Sequence, residues 1–152
     1  MPVLQLFMAS RVLVAFDESS QSTAALIHAA ETFPDTDFHI LTVVDPGEWS
    51  GAEAGAIYYA EEAFEQAKEM ADERLADAES IVADYDIDAT TAREVGRPSG
   101  AIVDYAEEHD IDHIVLGSHG RTGLARFLLG SVAERVARRS PTSVTIVRER
   151  DD

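Results

Sequence analysis

The sequence predicts an α/β protein, a single open five-stranded parallel sheet with helices on both faces, of Rossmann-like type. Three observations predict it. Short runs of β-branched and apolar residues recur five times along the chain. Between them lie segments whose apolar residues are spaced three and four apart, as on one face of a helix. No repeat, linker or low-complexity stretch interrupts the alternation, and such an order folds as a parallel sheet with right-handed crossovers. The 152 residues suit one domain. It is assigned to residues 11–150, with residues 1–10 as an N-terminal extension.

Each element has its own justification. Residues 1–10 are apolar but brief and lack the basic start of a secretory signal, so an extension, or a true start at Met8, explains them better than targeting. Residues 11–16 read as a buried strand ended by Asp17. Ser19 and Ser20 are candidate caps for the helix that follows, with Ala24, Leu26, Ile27 and Ala30 on its apolar face. Residues 38–44 form the second strand, ending at Asp45 and Pro46, and residues 47–55 read as a loop that holds the single tryptophan, Trp49.

A long helix over residues 57–85 follows. Its three- and four-residue spacing of apolar side chains, from Ala60 and Phe64 through Met70 and Leu75 to Val82, marks a core stripe. Residues 89–94 are a weaker strand of edge-like composition. Gly96-Arg97-Pro98 then turns the chain into a helix with Pro98 near its first position, carrying Ile102, Val103 and Ala106. Residues 112–116 are the fourth strand. Ser131–Arg139 is the last helix, with Val132 and Val136 on one face, and Ser143–Val147 is the fifth strand.

Charge limits the partners. Twenty-nine acids against twelve bases give a net charge of −17, and Lys68 is the only lysine. Acids spread over helical faces at this density repel one another unless salt screens them, which points to a halophilic setting. Non-specific nucleic-acid binding needs a basic face and is not expected. No apolar run approaches the roughly 20 residues of a membrane helix, so no membrane partner is expected either. The chain has no cysteine, which excludes disulfides, thiolate metal sites and cysteine nucleophiles. The five histidines show no metal-ligand spacing.

The charge is also uneven. Residues 1–112 carry 5 bases and 25 acids, whereas residues 113–152 carry 7 bases and 4 acids. Most of the credit for Arg135, Arg138 and Arg139 goes to offsetting the C-terminal end of the last helix, and less of it for Arg121.

That basic region surrounds Gly117-Ser118-His119-Gly120-Arg121-Thr122-Gly123, followed by Gly130-Ser131-Val132, with no carboxylate between Gly117 and Ala133. A strand that delivers glycines and hydroxyls to a helix start is suited to a phosphate, because the first N–H groups and the helix dipole favour an anion. The same spacing also fits a glycine-rich connection with no ligand. In a doubly wound sheet, ligands bind beyond the C-terminal strand ends where the strand order reverses. If the first and fourth strands flank that reversal, Asp17 and Gly117 share one crevice. There the acid would accept hydrogen bonds from a base or ribose, although it serves equally well as a helix cap.

The residues resemble a family. Gly117-x2-Gly120-x9-Gly130-Ser131 is similar to the nucleotide motif of universal stress proteins. So is the ordered set of a strand ending in Asp17, a strand ending Val43-Val44-Asp45, Gly96-Arg97-Pro98 and then the glycine stretch. The resemblance covers residues 11–148. It implies strand order 3-2-1-4-5, a cytoplasmic stress-response homodimer joined through the last strand, and the ATP-binding branch. By position, Asp17 and the backbone at Val43 would meet adenine and ribose, with Ala15 and Leu116 lining that pocket and Gly117 approaching the ribose. His119, Gly120, Gly130, Ser131 and Val132 would surround the phosphates of ATP, ADP or AMP, with Mg²⁺ or Mn²⁺ held through the phosphate oxygens. The family often has proline and a small residue before the aspartate. Here Ala15 and Phe16 stand there, and Phe16 would either crowd the base or stack on it.

Binding is expected rather than turnover. No lysine lies in the phosphate loop and there is no Gly-x4-Gly-Lys pattern, so the usual charge clamp for phosphoryl transfer is missing. Slow ATP hydrolysis or nucleotidyl transfer, with His119 as a general acid or phosphate donor, is the alternative on the same site. An interaction protein with a vestigial glycine loop is another, and FMN is a weaker competitor for the crevice.

Overall fold

The computed structural model describes residues 10–49, 57–119 and 129–149. Most of the N-terminal extension, residues 50–55 of the expected loop, and Gly120, Arg121, Thr122 and Gly123 of the glycine stretch lie outside the described residues.

Five strands, β1 (Arg11–Ala15), β2 (Asp37–Val44), β3 (Thr90–Val95), β4 (His113–Gly117) and β5 (Ser143–Val147), pair in parallel in the order β3-β2-β1-β4-β5. This is the expected order. Val14 in β1 is in register with Ile40 on one side and Val115 on the other. The helices are α1 (Ser20–Thr32), α2 (Pro46–Trp49), α3 (Ile57–Ala83), α4 (Pro98–Glu108) and α5 (Ser131–Arg139).

Strand pleating divides the core in two, since successive side chains point to opposite faces. Val12, Val14 and Phe16 of the β1 segment, with Phe38, Ile40 and Val115, pack under α1 and α3. Leu13, Leu41, Ile114 and Leu116 pack under α4 and α5. The central strands are therefore covered on both faces, as a continuous apolar run requires.

The structure corrects the sequence reading in three places. On α1 the buried apolar residues are Ala25, Leu26, Ala29 and Ala30, while Ala24 and Ile27 are half-buried. The start of the expected loop is instead the short helix α2. Asp45 Oδ1 accepts the Gly47 N–H at 2.9 Å, and Pro46 occupies the first helical position, which tolerates its missing donor.

The third correction concerns α3. Its core stripe is continuous only from Ala71 through Leu75 and Ala78 to Val82; Ala63, Phe64 and Ala67 are half-buried and Met70 is 52% exposed. Length explains this. A helix of 27 residues runs about 40 Å, whereas the longest strand has 8 residues and spans roughly 26 Å. The first half of α3 overhangs the sheet. Among the described residues, no helix is long and apolar enough to cross a membrane.

Candidate functional site

The chain runs from β1 outward to β2 and β3, then crosses to β4 on the other side of β1. The reversal therefore lies between β1 and β4, and their C-terminal ends leave a crevice where the loops part company. That crevice has a volume of about 570 Å³, within the roughly 300–1,000 Å³ of small-molecule sites.

Its floor is apolar and its walls are polar. Ala15, Leu41, Val43, Leu116, Ile102 and Val132 line the α4/α5 side of the sheet. Asp17 at the end of β1 and Asp45 at the end of β2 supply carboxylates. Gly117 and His119 follow β4, and Gly130 and Ser131 open α5. Arg97 and Ser99 stand at the start of α4, and Arg135 lies one helical turn beyond Ser131, on the same face of α5. The acids belong to the β1 and β2 ends and the two guanidinium groups to α4 and α5, so the crevice is electrically bipolar.

Of the site residues named from the sequence, Ala15, Asp17, Val43, Leu116, Gly117, His119, Gly130, Ser131 and Val132 all line this one crevice. Gly120 lies outside the described residues. Arg97, Asp45 and Arg135 were missed as lining residues. Arg135 is the clearest case: assigned to the end of α5, it in fact faces the crevice, whereas Arg138 pairs with Glu134 at 2.9 Å. Its spacing of four residues from Ser131 was the available signal.

Asp17 is not the helix cap itself, though it supports the cap and lines the crevice. The cap of α1 is Ser19, whose Oγ accepts the Ser22 N–H at 3.1 Å. Asp17 stands just before it: Oδ1 accepts the Ser19 N–H at 3.0 Å, and its own N–H donates to Ser22 Oγ at 3.2 Å. Those bonds fix the carboxylate at the rim of the crevice. Phe16 touches the crevice but is only 3% exposed and belongs to the α1-side core, so its ring neither crowds nor stacks on anything there.

The two described glycines of the motif are explained by the protein's own packing. A Cβ at Gly117 would lie 2.8 Å from the Gln21 backbone, and one at Gly130 would lie 2.9 Å from the Cα of His119. Gly130 needs no unusual torsion, with φ at −64°, so close approach alone excludes a side chain. Its N–H donates to the Ser118 carbonyl at 2.7 Å, which closes the neck of the segment between β4 and α5. Gln21 also binds the end of the sheet: its Oε1 accepts the Glu149 N–H at 2.7 Å and lies 3.3 Å from Ser118 Oγ.

Both helix starts that meet the crevice from α4 and α5 lack a side-chain cap. Their first N–H groups have no intrahelical acceptor and carry the positive end of the helix dipole. Ser118 Oγ lies 3.3 Å from His119 Nδ1, but Ser118 is 3% exposed and is closed off from any substrate as a nucleophile. Among the described residues no group of three or more His, Asp or Glu is placed to hold a metal ion.

Known proteins share this architecture. Universal stress protein MJ0531 of Methanocaldococcus jannaschii is 33% identical over 142 residues, covering 91% of this chain and 82% of that protein. The structure of hypothetical protein MJ0577, from the same organism, matches with a TM-score of 0.83 at 28% identity, over 95% of this chain and 99% of that one. A universal stress protein in complex with cAMP matches with a TM-score of 0.66 at 30% identity, over 92% of this chain and 97% of that one. With residues 8–148 matching the family as well, the chain belongs to the universal stress protein family.

Proposed function

We propose that the crevice binds an adenine nucleotide, ATP in its working form, and that the protein is a nucleotide-controlled regulatory homodimer. One observation carries this reading: carboxylates on one side of a small-molecule-sized crevice face two guanidinium groups, with no ion pair among the described residues, and two helix starts without a side-chain cap on the other. The base and ribose present donors suited to Asp17, with Ala15, Val43 and Leu116 as an apolar bed. The phosphates suit the Gly130–Ser131–Val132 amides and His119. A divalent Mg²⁺ or Mn²⁺ would be held through the phosphate oxygens and would offset their charge. The complex of a 30% identical relative with cAMP supports the same ligand class.

The dimer is proposed through β5, which among the described residues pairs with β4 alone and has its outer edge open. Nucleotide binding would order the crevice rim and so bias contacts at that edge, provided the two states differ in affinity for the ligand. His119 at the rim favours one second reading, slow hydrolysis or nucleotidyl transfer.

Calorimetry of the full chain with ATP and Mg²⁺ in molar KCl tests binding, and the expected result is one nucleotide per chain. Asp17→Asn, which keeps an acceptor for the Ser19 N–H, is expected to weaken ATP about tenfold through loss of a charged acceptor. Phosphate release should stay at background. Release that His119→Ala abolishes would replace the regulatory reading with the enzymatic one.

A further inference from the structure

We propose that Arg97 and Arg135 make this crevice selective for the number of phosphates, favouring tri- and diphosphates over monophosphates and cyclic nucleotides. The inference rests on the nucleotide reading above and names the residues that would decide which nucleotide is retained.

The argument begins with a shortage of positive charge. Twelve bases share the chain with twenty-nine acids, so carboxylates outnumber the groups that could pair with them. Arg74, Arg93 and Arg138 each take one, Glu18, Asp72 and Glu134 in turn, and Arg11 takes two, Asp37 and Asp110. Arg97, Arg135, Arg139 and Arg148 take none among the described residues, and of these four only Arg97 and Arg135 line the crevice. They come from different helices, one immediately before α4 and one in the second turn of α5, so the fold alone brings them to a common wall.

Neither serves its own helix. Arg97 is the N-cap of α4 but makes no side-chain cap hydrogen bond, and a cation at a helix start is disfavoured by the dipole. Arg135 lies before the last turn of α5, where Arg138 and Arg139 already meet the C-terminal end. A ligand carrying several negative charges removes both difficulties. The helix-start amides suffice for one phosphate group, and two further guanidinium groups, each able to bind bidentately, match a longer anionic chain.

The test is a calorimetric series with ATP, ADP, AMP and cAMP, each with Mg²⁺, in molar KCl. At that salt the Debye length is about 3 Å, so only direct contacts register. The proteins are the full chain and its Arg97→Gln, Arg135→Gln and Arg139→Gln variants. Arg139 is exposed and does not line the crevice, so it controls for loss of charge alone. The wild type is expected to bind ATP and ADP more tightly than AMP and cAMP. Each crevice variant should lose about tenfold for ATP and less than about twofold for AMP, while Arg139→Gln changes neither. Thermal melting should stay unchanged, since both side chains are exposed. Wild-type binding of ATP that the crevice variants leave intact, or weaken equally for AMP, would overturn this inference alone. A wild type that bound none of the four would overturn the nucleotide reading and this inference with it.

Discussion

Gly117 illustrates how a residue can be legible for one reason and required for another. Its place after a β-branched strand marked a ligand-facing turn, yet the nearest atoms to a missing Cβ belong to Gln21 of α1, at 2.8 Å. Gly117→Ala is therefore expected to destabilise the fold by about 1–3 kcal/mol through overpacking, read from urea unfolding. An unchanged midpoint would mean that α1 moves aside freely. His113 gives a second residue-level prediction. Burial, and then the neighbouring His28, lowers its pKa below 6.5, while Nε2 lies 2.6 Å from Thr145 Oγ1. The unfolded chain thus binds this proton more readily than the folded one. The neutral ring's contribution is complete above pH 6.5 and is lost as the pH falls from there through the lowered folded value. His113→Gln should flatten that acid limb in unfolding free energies measured between about pH 5 and 8; a limb of the same depth in the variant would show that another group causes it.

At the scale of elements, the alternation of pattern periods made all five strands and the long helices readable, with ends within one or two residues of those observed. Periodicity is less able to say which side of a helix meets the sheet, or how far the sheet extends. On α1 the true face is one position along, because the two faces of Ala24-Ala25-Leu26-Ile27 are equally apolar in sequence. On α3 the stripe continues past the end of the sheet. The consequence is measurable: Leu75→Ala should cost about 2–5 kcal/mol, and Met70→Ala less than about 0.5 kcal/mol as an exposed substitution. Similar losses at both positions in denaturant unfolding would mean that the first half of α3 is covered in solution. The α2 turn was legible in principle from Asp45-Pro46, a cap followed by proline at the first helical position.

For the whole molecule, composition spoke to surroundings and topology to the site. A net charge of −17 predicts that raising KCl from about 0.1 M to about 1 M, which shortens the Debye length from about 10 to about 3 Å, will raise the thermal unfolding midpoint. A midpoint that falls would count against an acidic surface tuned to salt. Nine of the nineteen residues that line the crevice were foreseen: Asp17, Gly117 and Gly130–Val132 from the strand ends and the helix start, and Ala15, Val43, Leu116 and His119 from the family resemblance. Arg97, Asp45 and Arg135 were not, since their convergence depends on how separate helices and loops pack together rather than on any local spacing. The most direct measurement of the central claim is an amide NMR titration of the full chain with Mg²⁺-ATP. Shift changes confined to the residues around Ala15, Asp17, Arg97, Gly117 and Ser131 are predicted. Changes centred elsewhere, or none at millimolar nucleotide, would contradict it.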